Sequence, residues 1–413
     1  MTFAAVSTIS GYRAEVVDSV TEVFGDNAWM SGGYNHLKKV VNFEKVVNNC
    51  YLCGNVSTMS KLSEAYEKWL ALQPFSPTDS ARLDRKFMLD FNYNSNHIEG
   101  NTLTYGQTEV LLLMGEVIGS AKMKDLEDMK AHNLCLNLMI EEAKTADHLS
   151  ESFIKRLHQV MLREDYTVYR ELSGGCQTSY VVHAGTYKTR PNSVITPTGE
   201  RFDYASPEET PSLMYDLIQW YNEEEQACNL SPVELAALFH YRYIRIHPFE
   251  DGNGRIARLI VNFILLRHNY PTVVVLSRKK TTYLNALGLA DVNVGVVPAD
   301  GSHASIEQIK PFVKYMTDLM VSEINQNIAF LHADAKTTWW YDGETVTFRS
   351  PRTVLLLQHL QKNPKATIAE LASVLDINTS AVQKQLSNLL AKGYITKDPD
   401  TNSYRVIAVS TTK

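Results

Sequence analysis

The chain has 413 residues, of which 44% are apolar and 21% charged, and a formal net charge of −6. That length allows two or three domains with a sizeable core, and the composition is that of a soluble globular protein, not a disordered or fibrous one. The mild acidity excludes a general attraction to nucleic acid or lipid, and no window approaches about 18 uninterrupted apolar residues, so no membrane-spanning helix and no membrane partner are expected.

Met1–Ser7 lacks a basic segment followed by an apolar core, so no secretory signal is expected. Five cysteines, an odd and sparse set, suit a reducing compartment and a cytoplasmic location. Residues 1–60 read as loops and short helices. Cys50 and Cys53 form a C-x-x-C, but no second pair follows at zinc-site spacing, so a metal or redox role is a minor reading. Leu62, Ala65, Trp69 and Leu72 predict an amphipathic helix over 60–72, punctuated by Pro74 and Pro77.

A further helix is expected from Ser80 to Asn94, leading into Ser95-Asn-His-Ile-Glu-Gly-Asn101. Taken alone, that end reads as a helix terminus with Glu99 solvated and Gly100 as cap. Helices are expected next over 104–118, 122–144 and 150–163; His158, in the last, reads as a core or capping histidine. Ser179–Val182 is β-prone, and Gly185–Ile195 alternates polar and apolar residues around Pro191-Asn192, which predicts a hairpin. Helices are expected over 207–222 and 232–247, the second so apolar that it must be buried.

His247-Pro-Phe-Glu-Asp-Gly-Asn-Gly-Arg-Ile-Ala-Arg258 then sets an imidazole, two carboxylates, a Gly-Asn-Gly turn and two arginines within twelve residues. It opens the apolar helical run Leu259–Leu266. A two-glycine turn opening a helix aims backbone N–H groups and the positive end of the helix dipole at one point, a nest for phosphate oxygens. Arg255 and Arg258, three apart, share a helix face and can both reach a polyphosphate. Asp251 supplies a hard oxygen for Mg²⁺, and His247 suits the removal of a proton from an attacking hydroxyl near neutral pH. Phe249 reads as a core anchor.

The motif, His-x-Phe-x-Asp-Gly-Asn-Gly-Arg-x-x-Arg, resembles the signature of the Fic-domain family at every fixed position. That resemblance implies a mainly α fold that transfers AMP from ATP to a Ser, Thr or Tyr hydroxyl of a protein, often itself, releasing pyrophosphate. Some members move other phosphate-containing groups or remove AMP; the kinase-like branch carries Ala and Lys in place of Gly252 and Gly254 and fits poorly. By the same resemblance His247, Asn253 and Arg255 are catalytic. Gly252, Asn253, Gly254, Arg255, Arg258 and Tyr283 are expected to bind ATP, and Asp251 the metal. A core role for Tyr283 is nearly as good a reading of its sequence context.

Ser95 and Glu99 match the Ser/Thr-x-x-x-Glu-Gly/Asn segment of the family's inhibitory helix. A bidentate, partly buried Glu99–Arg258 pair contributes roughly 1.5–3 kcal/mol, a ten- to hundredfold loss of productive ATP occupancy by ~1.4 kcal/mol per decade. The hairpin at 185–195 matches the flap that docks the target segment by backbone pairing. This assigns Tyr187, Lys188, Thr189, Arg190 and Val194 to target docking, and a homodimer is expected by analogy.

Lys279–Leu289 and Glu307–His332 are expected helices. Trp339–Phe348 then predicts a hairpin turning at Asp342-Gly343, with helices over 350–361, 367–375 and 379–392 and two short strands after it. This order resembles a winged helix. Residues 351–413 carry eight Lys/Arg and four Asp/Glu, so the preceding residues carry −10. DNA and protein contact both stay open for it, since the last helix offers only Gln383, Lys384, Gln385, Asn388 and Lys392.

The expected organisation is an N-terminal helical or irregular region (1–79), a Fic-type core with inhibitory helix 80–101, flap 185–195 and motif 247–258 (80–332), and a winged helix (333–413). Two other functional readings use the same residues. In one, Glu99 activates water to remove AMP; in the other, the core is a nucleotide-responsive sensor in a DNA-binding regulator.

Overall fold

The computed structural model describes residues 56–171, 177–195, 201–334, 336–341, 343–398 and 402–406. The chain divides into two compact units, Met1–Val56 and Ser57–Lys413, and all the described residues except Val56 belong to the second. Cys50, Cys53 and Cys176 lie outside the described residues. Among the described residues no helix is long and apolar enough to cross a membrane.

Among the described residues, eleven α-helices and two hairpins precede the C-terminal elements. The helices are α1 Val56–Leu70, α2 Pro77–Ile98, α3 Tyr105–Met114, α4 Met123–Thr145, α5 Glu151–Leu162, α6 Thr210–Ala227, α7 Pro232–Ile246, α8 Asn253–Arg267, α9 Lys280–Val294, α10 Pro298–Ser302 and α11 Lys310–His332. Pro74 and Pro77 follow the end of α1, as their sequence positions suggested. Pro77 occupies the first turn of α2, where its missing N–H costs nothing, and Ser76 caps Asp79. Helices α7 and α8 pack together at the centre, and α8 is buried on nearly every side. A helix apolar all round has to be interior. The α7–α8 corner therefore rests on two buried, mutually packed helices.

Strands β1 Tyr166–Glu171 and β2 Gln177–Val182 pair antiparallel, Tyr166 opposite Val182. The second hairpin differs from expectation. Its strands are β3 Ser193–Ile195 and β4 Arg201–Asp203, with Val194 opposite Phe202, so it starts where the predicted hairpin ends. Residues 185–192 are not paired strand, because their polar groups are spent on the 246–250 segment and Pro191 has no N–H to give.

β5 Thr338–Tyr341 and β6 Glu344–Thr347 form a hairpin with Gly343 at φ 72°. Helices α12 Pro351–Lys362, α13 Ile368–Leu375 and α14 Thr379–Ala391 and strands β7 Ile395–Lys397 and β8 Tyr404–Val406 complete a winged helix, as the sequence led one to expect. Its apolar core, built on Leu357, Leu371, Leu386 and Ile395, also takes in Leu89 of α2 and Tyr105 of α3. The two parts share one packed interior.

Candidate active site

His247 ends α7 in the left-handed region (φ 51°, ψ 60°), and Gly252 opens α8 at φ 79°. The residues between them make the corner. Phe249 is fully buried, its ring stacked 3.8 Å from that of His158. Asn253 uses its amide twice on the same residue: Oδ1 accepts from Phe249 N at 3.0 Å, and Nδ2 donates to Phe249 O at 2.7 Å. It was expected to contribute to the nest. Its side chain ties the loop from within, both ends of the amide being matched by the one backbone, while its backbone N–H stays in the first turn of α8.

His158 holds the loop from outside. Gly185 N donates to its Nδ1 at 2.9 Å, so the proton is on Nε2, which donates to Asp251 O at 3.1 Å. Burial pushes its pKa down to about 4, so it stays a neutral clip. Lys188 N donates to Pro248 O, and its Nζ to Ile246 O at 3.0 Å; Asn192 donates to Phe249 O.

The flap residues divide accordingly. Tyr187 and Lys188 are buried, and burial pushes the Lys188 pKa down to about 8, so neither is offered to a target as expected. Thr189 Oγ1 donates to Glu250, and Arg190 is exposed over the Tyr180 ring. The Val194 side chain lies outside the described ones.

The His247 ring packs 4.0 Å from Tyr204, which follows β4. Its pKa is pushed down to about 3, first by burial and then by the neighbouring Lys188; Glu99, Asp251 and the Ile244 carbonyl work the other way. The ring is therefore neutral at physiological pH and carries one nitrogen lone pair as an acceptor.

Asp251 receives Tyr166 OH at 2.8 Å and Gly252 N at 2.6 Å, with Arg255 at 3.6 Å. Burial alone would raise its pKa; Arg255, Tyr166 and the Gly252 amide outweigh it and keep the carboxylate charged. Its side chain is 46% exposed. No three His, Cys, Asp or Glu side chains converge among the described residues, so a metal here would rest on Asp251 and bound phosphates together. That is how Mg²⁺ is commonly held, and the donor fits it.

Arg258 is almost wholly buried and its hydrogen bonds are specific. Nε donates to Ser95 Oγ at 3.0 Å, and Nη2 donates to Ser95 O at 2.9 Å and to Glu99 Oε1 at 2.7 Å. The pair with Glu99 is therefore one-pronged, not bidentate, because Ser95 has taken the other edge of the guanidinium. Burial pushes the Glu99 pKa up, but Arg258, then Arg255 and Lys280, bring it below its usual value. A Cβ on Gly254 would stand 2.6 Å from Glu99 Oε1 and 3.1 Å from Arg258 Nη1. The Glu99 carboxylate thus lies against the first turn of α8, where an anion is most favoured.

Behind Ser95 runs a chain of polar groups that the sequence did not reveal. His132 Nδ1 donates to Asn92 Oδ1 at 2.7 Å, leaving Nε2 to accept from Ser95 OH at 3.1 Å. Burial, helped by Arg255 and Arg258, holds His132 well below its usual pKa and neutral. Nothing in the spacing of Asn92, Ser95 and His132 marks them as partners; only the packing of α2 on α4 does. Tyr283 is buried, its hydroxyl bonded to His240 at 2.7 Å and its ring near Phe312 and Tyr315. It packs in the interior beside Arg258.

The Fic/DOC family profile matches residues 148–265, and a winged helix-turn-helix DNA-binding profile matches 350–396. The protein adenylyltransferase fic-1 of Caenorhabditis briggsae is 27% identical over 247 residues, 60% of this chain and 42% of that one. The protein adenylyltransferase Fic of Drosophila mojavensis is 30% identical over 264 residues, 62% and 45%. The chain thus spans less than half the length of these curated relatives. A Fic domain-containing signaling protein from Bacteroides thetaiotaomicron, of known structure, is 50% identical, covers 66% of this chain and 96% of its own, and superposes with a TM-score of 0.61. With the corner geometry and this identity together, the chain belongs to the Fic family and carries a winged helix at its C-terminal end.

Proposed function

We propose that the chain is a protein adenylyltransferase, moving AMP from ATP to a hydroxyl side chain of a protein, itself included, under restraint by its own Glu99. The observation that carries this reading is the Glu99 carboxylate lodged at the N-terminal turn of α8 and bonded to Arg258. A turn that holds a carboxylate so closely is built for anions, and a polyphosphate would compete for the same groups. His247, neutral and carried on the buried α7, takes the proton as the target oxygen bonds to the α-phosphorus. The bond from that phosphorus to the bridging oxygen breaks, and pyrophosphate leaves. Arg255, Arg258 and the N–H groups of the first turn of α8 balance the charge on the phosphates. Asp251 would hold a magnesium ion, which would supply further positive charge to the phosphates.

Two labels separate this from its rivals. Adenylyl transfer moves label from α-labelled ATP to protein and none from γ-labelled ATP; label from the γ position alone would mean phosphoryl transfer. Glu99 stays ionised, which also favours a second reading in which it serves as base for water in removing AMP. In that case Glu99→Gln stops release of AMP from a labelled protein while leaving transfer intact.

For the winged helix, DNA is the partner favoured by the +4 charge of residues 351–413 and by the exposure of Gln383, Lys384 and Asn388 on α14 and of Lys392 at its C-terminal cap. Binding to duplex DNA that weakens steeply with salt and is lost in Lys384→Glu/Lys392→Glu supports it; binding indifferent to both removes it.

A further inference from the structure

Asp251 is held at its carbonyl and at its carboxylate by one short stretch of chain outside the motif. His158, on α5, donates to the carbonyl at 3.1 Å. Tyr166, which opens β1, donates its hydroxyl to the carboxylate, where Oδ2 accepts at 2.8 Å. Oδ1 accepts from Gly252 N at 2.6 Å, with Arg255 at 3.6 Å, beyond hydrogen-bond length. A carboxylate has about four acceptor positions. Tyr166 and the Gly252 amide fill two of them, and the side chain still faces solvent over 46% of its surface.

Tyr166 is fixed by contacts that do not involve the motif. It pairs with Val182 across the β1–β2 hairpin. Beside it, Asp165 clasps the chain leaving β2: Ala184 N donates to Oδ1 at 2.8 Å and His183 Nδ1 to Oδ2 at 2.7 Å. The strand alternates, with Thr167 and Tyr169 exposed and Tyr166 partly buried opposite buried Val182. The ring alone would serve that packing. The hydroxyl is what reaches Asp251, and it does so from a braced strand end.

We infer that Tyr166 is a positioning residue for the divalent cation: its hydroxyl sets the rotation of the Asp251 carboxylate, and so the oxygens offered to a cation that also meets the ATP phosphates. A carboxylate bonded on one oxygen only turns more freely about its Cβ–Cγ bond, and fewer of its orientations suit a metal. Groups that orient a metal ligand from behind contribute about 10–100-fold in metal affinity. The inference rests on the reading of Asp251 as the metal ligand and adds no step to the transfer.

The test is calorimetric titration of the full chain carrying Glu99→Gly with α,β-methylene-ATP, whose bond from the α-phosphorus to carbon does not break on attack. It is run once with Mg²⁺ and once with EDTA, and the ratio of the two affinities measures what the cation adds. Tyr166→Phe keeps the ring and should cut that ratio about tenfold, toward the value of Asp251→Asn. Its affinity in EDTA should stay that of the background chain. In labelling from α-labelled ATP, Tyr166→Phe should need about tenfold more Mg²⁺ for half its maximal rate, and saturating Mg²⁺ should restore the background rate. A Tyr166 that only supports the hairpin would leave the ratio unchanged and lower the EDTA affinity and the melting temperature instead. An unchanged ratio in Tyr166→Phe beside a reduced one in Asp251→Asn would overturn the inference and leave the metal reading standing. A larger ratio in Tyr166→Phe would mean that the hydroxyl competes with the cation, and would overturn it too. An unchanged ratio in Asp251→Asn would remove Asp251 as the metal ligand and the inference with it, and no nucleotide binding in any chain would remove the reading of the whole site.

Discussion

Gly252 and Gly254 sit two apart in the same turn and are needed for different reasons. At Gly252 a methyl group would have room, with His158 and Met161 at 3.5 Å, but the backbone is left-handed. Gly252→Ala should therefore cost about 1 kcal/mol through strain, read as a lower denaturation midpoint. At Gly254 the obstacle is the Glu99 carboxylate itself. Asn253→Ala deletes both bonds to the Phe249 backbone and leaves its buried N–H unmatched, while the Phe249 carbonyl keeps only the Asn192 amide. It should cost more, about 2–4 kcal/mol by urea unfolding, and should lower turnover by loosening the corner. A loss of activity with no change in stability would instead put the Asn253 amide on the substrate. At this scale the sequence was most legible where chemistry and backbone coincide: His247 and Gly252 bound one corner, and Arg255 lies 3.6 Å from Asp251 within it. It was least legible where a partner is distant, as with Ser95 and His132, 37 residues apart, or Tyr166 and Asp251, 85 apart.

Helix α2 joins three environments along one length: Lys86 beside Glu323 of α11, Asp90 under the winged helix, and Ser95 and Glu99 at Arg258. Ser95→Ala removes the acceptor of Arg258 Nε and the donor to His132 Nε2, so Arg258 should be released in part and basal self-labelling should rise, though less than with Glu99→Gly. Unchanged labelling would leave Ser95 a structural role only. Helices were readable to within a few residues because their apolar spacing and caps are local. The hairpin at 193–203 was misplaced because residues 185–192 look like strand but are held by the motif loop, a constraint that local alternation does not contain. The β1–β2 hairpin was only half seen, since Tyr166–Glu171 carries no turn signal of its own.

Across the whole molecule, the Fic core and winged helix are joined through Asp90. This carboxylate is buried and accepts from Trp340 Nε1 at 2.8 Å and from Tyr105 OH at 2.7 Å, with Lys86 nearby. Burial raises its pKa despite those partners. Trp340→Phe removes a donor from a buried anion and should cost about 1–3 kcal/mol; a single cooperative unfolding transition at lower denaturant is the expected trace. The buried histidines set the acid response. His158 and His240, pushed down to about 4 and about 3, are neutral when folded but take up protons near pH 6.5 when unfolded. Each depressed pKa contributes stability that is present above pH 6.5 and is lost as pH falls toward the folded value, with a slope of up to about 1.4 kcal/mol per pH unit per group. Melting temperature should drop steadily from pH 6.5 to about 4; a flat profile over that interval would mean these rings protonate freely in the fold.

We propose that Glu99 restrains an adenylyl transfer carried out by His247, and one experiment reads both halves. Incorporation of label from α-labelled ATP with Mg²⁺ into the full chain would be compared for wild type, Glu99→Gly, and Glu99→Gly with His247→Ala. A one-pronged pair with a 40% exposed carboxylate contributes about 1–2 kcal/mol after solvent screening, or a rise of roughly five- to thirtyfold in the single variant. The double variant should return to background. No labelling in Glu99→Gly despite bound ATP, or labelling that survives loss of His247, would contradict the account.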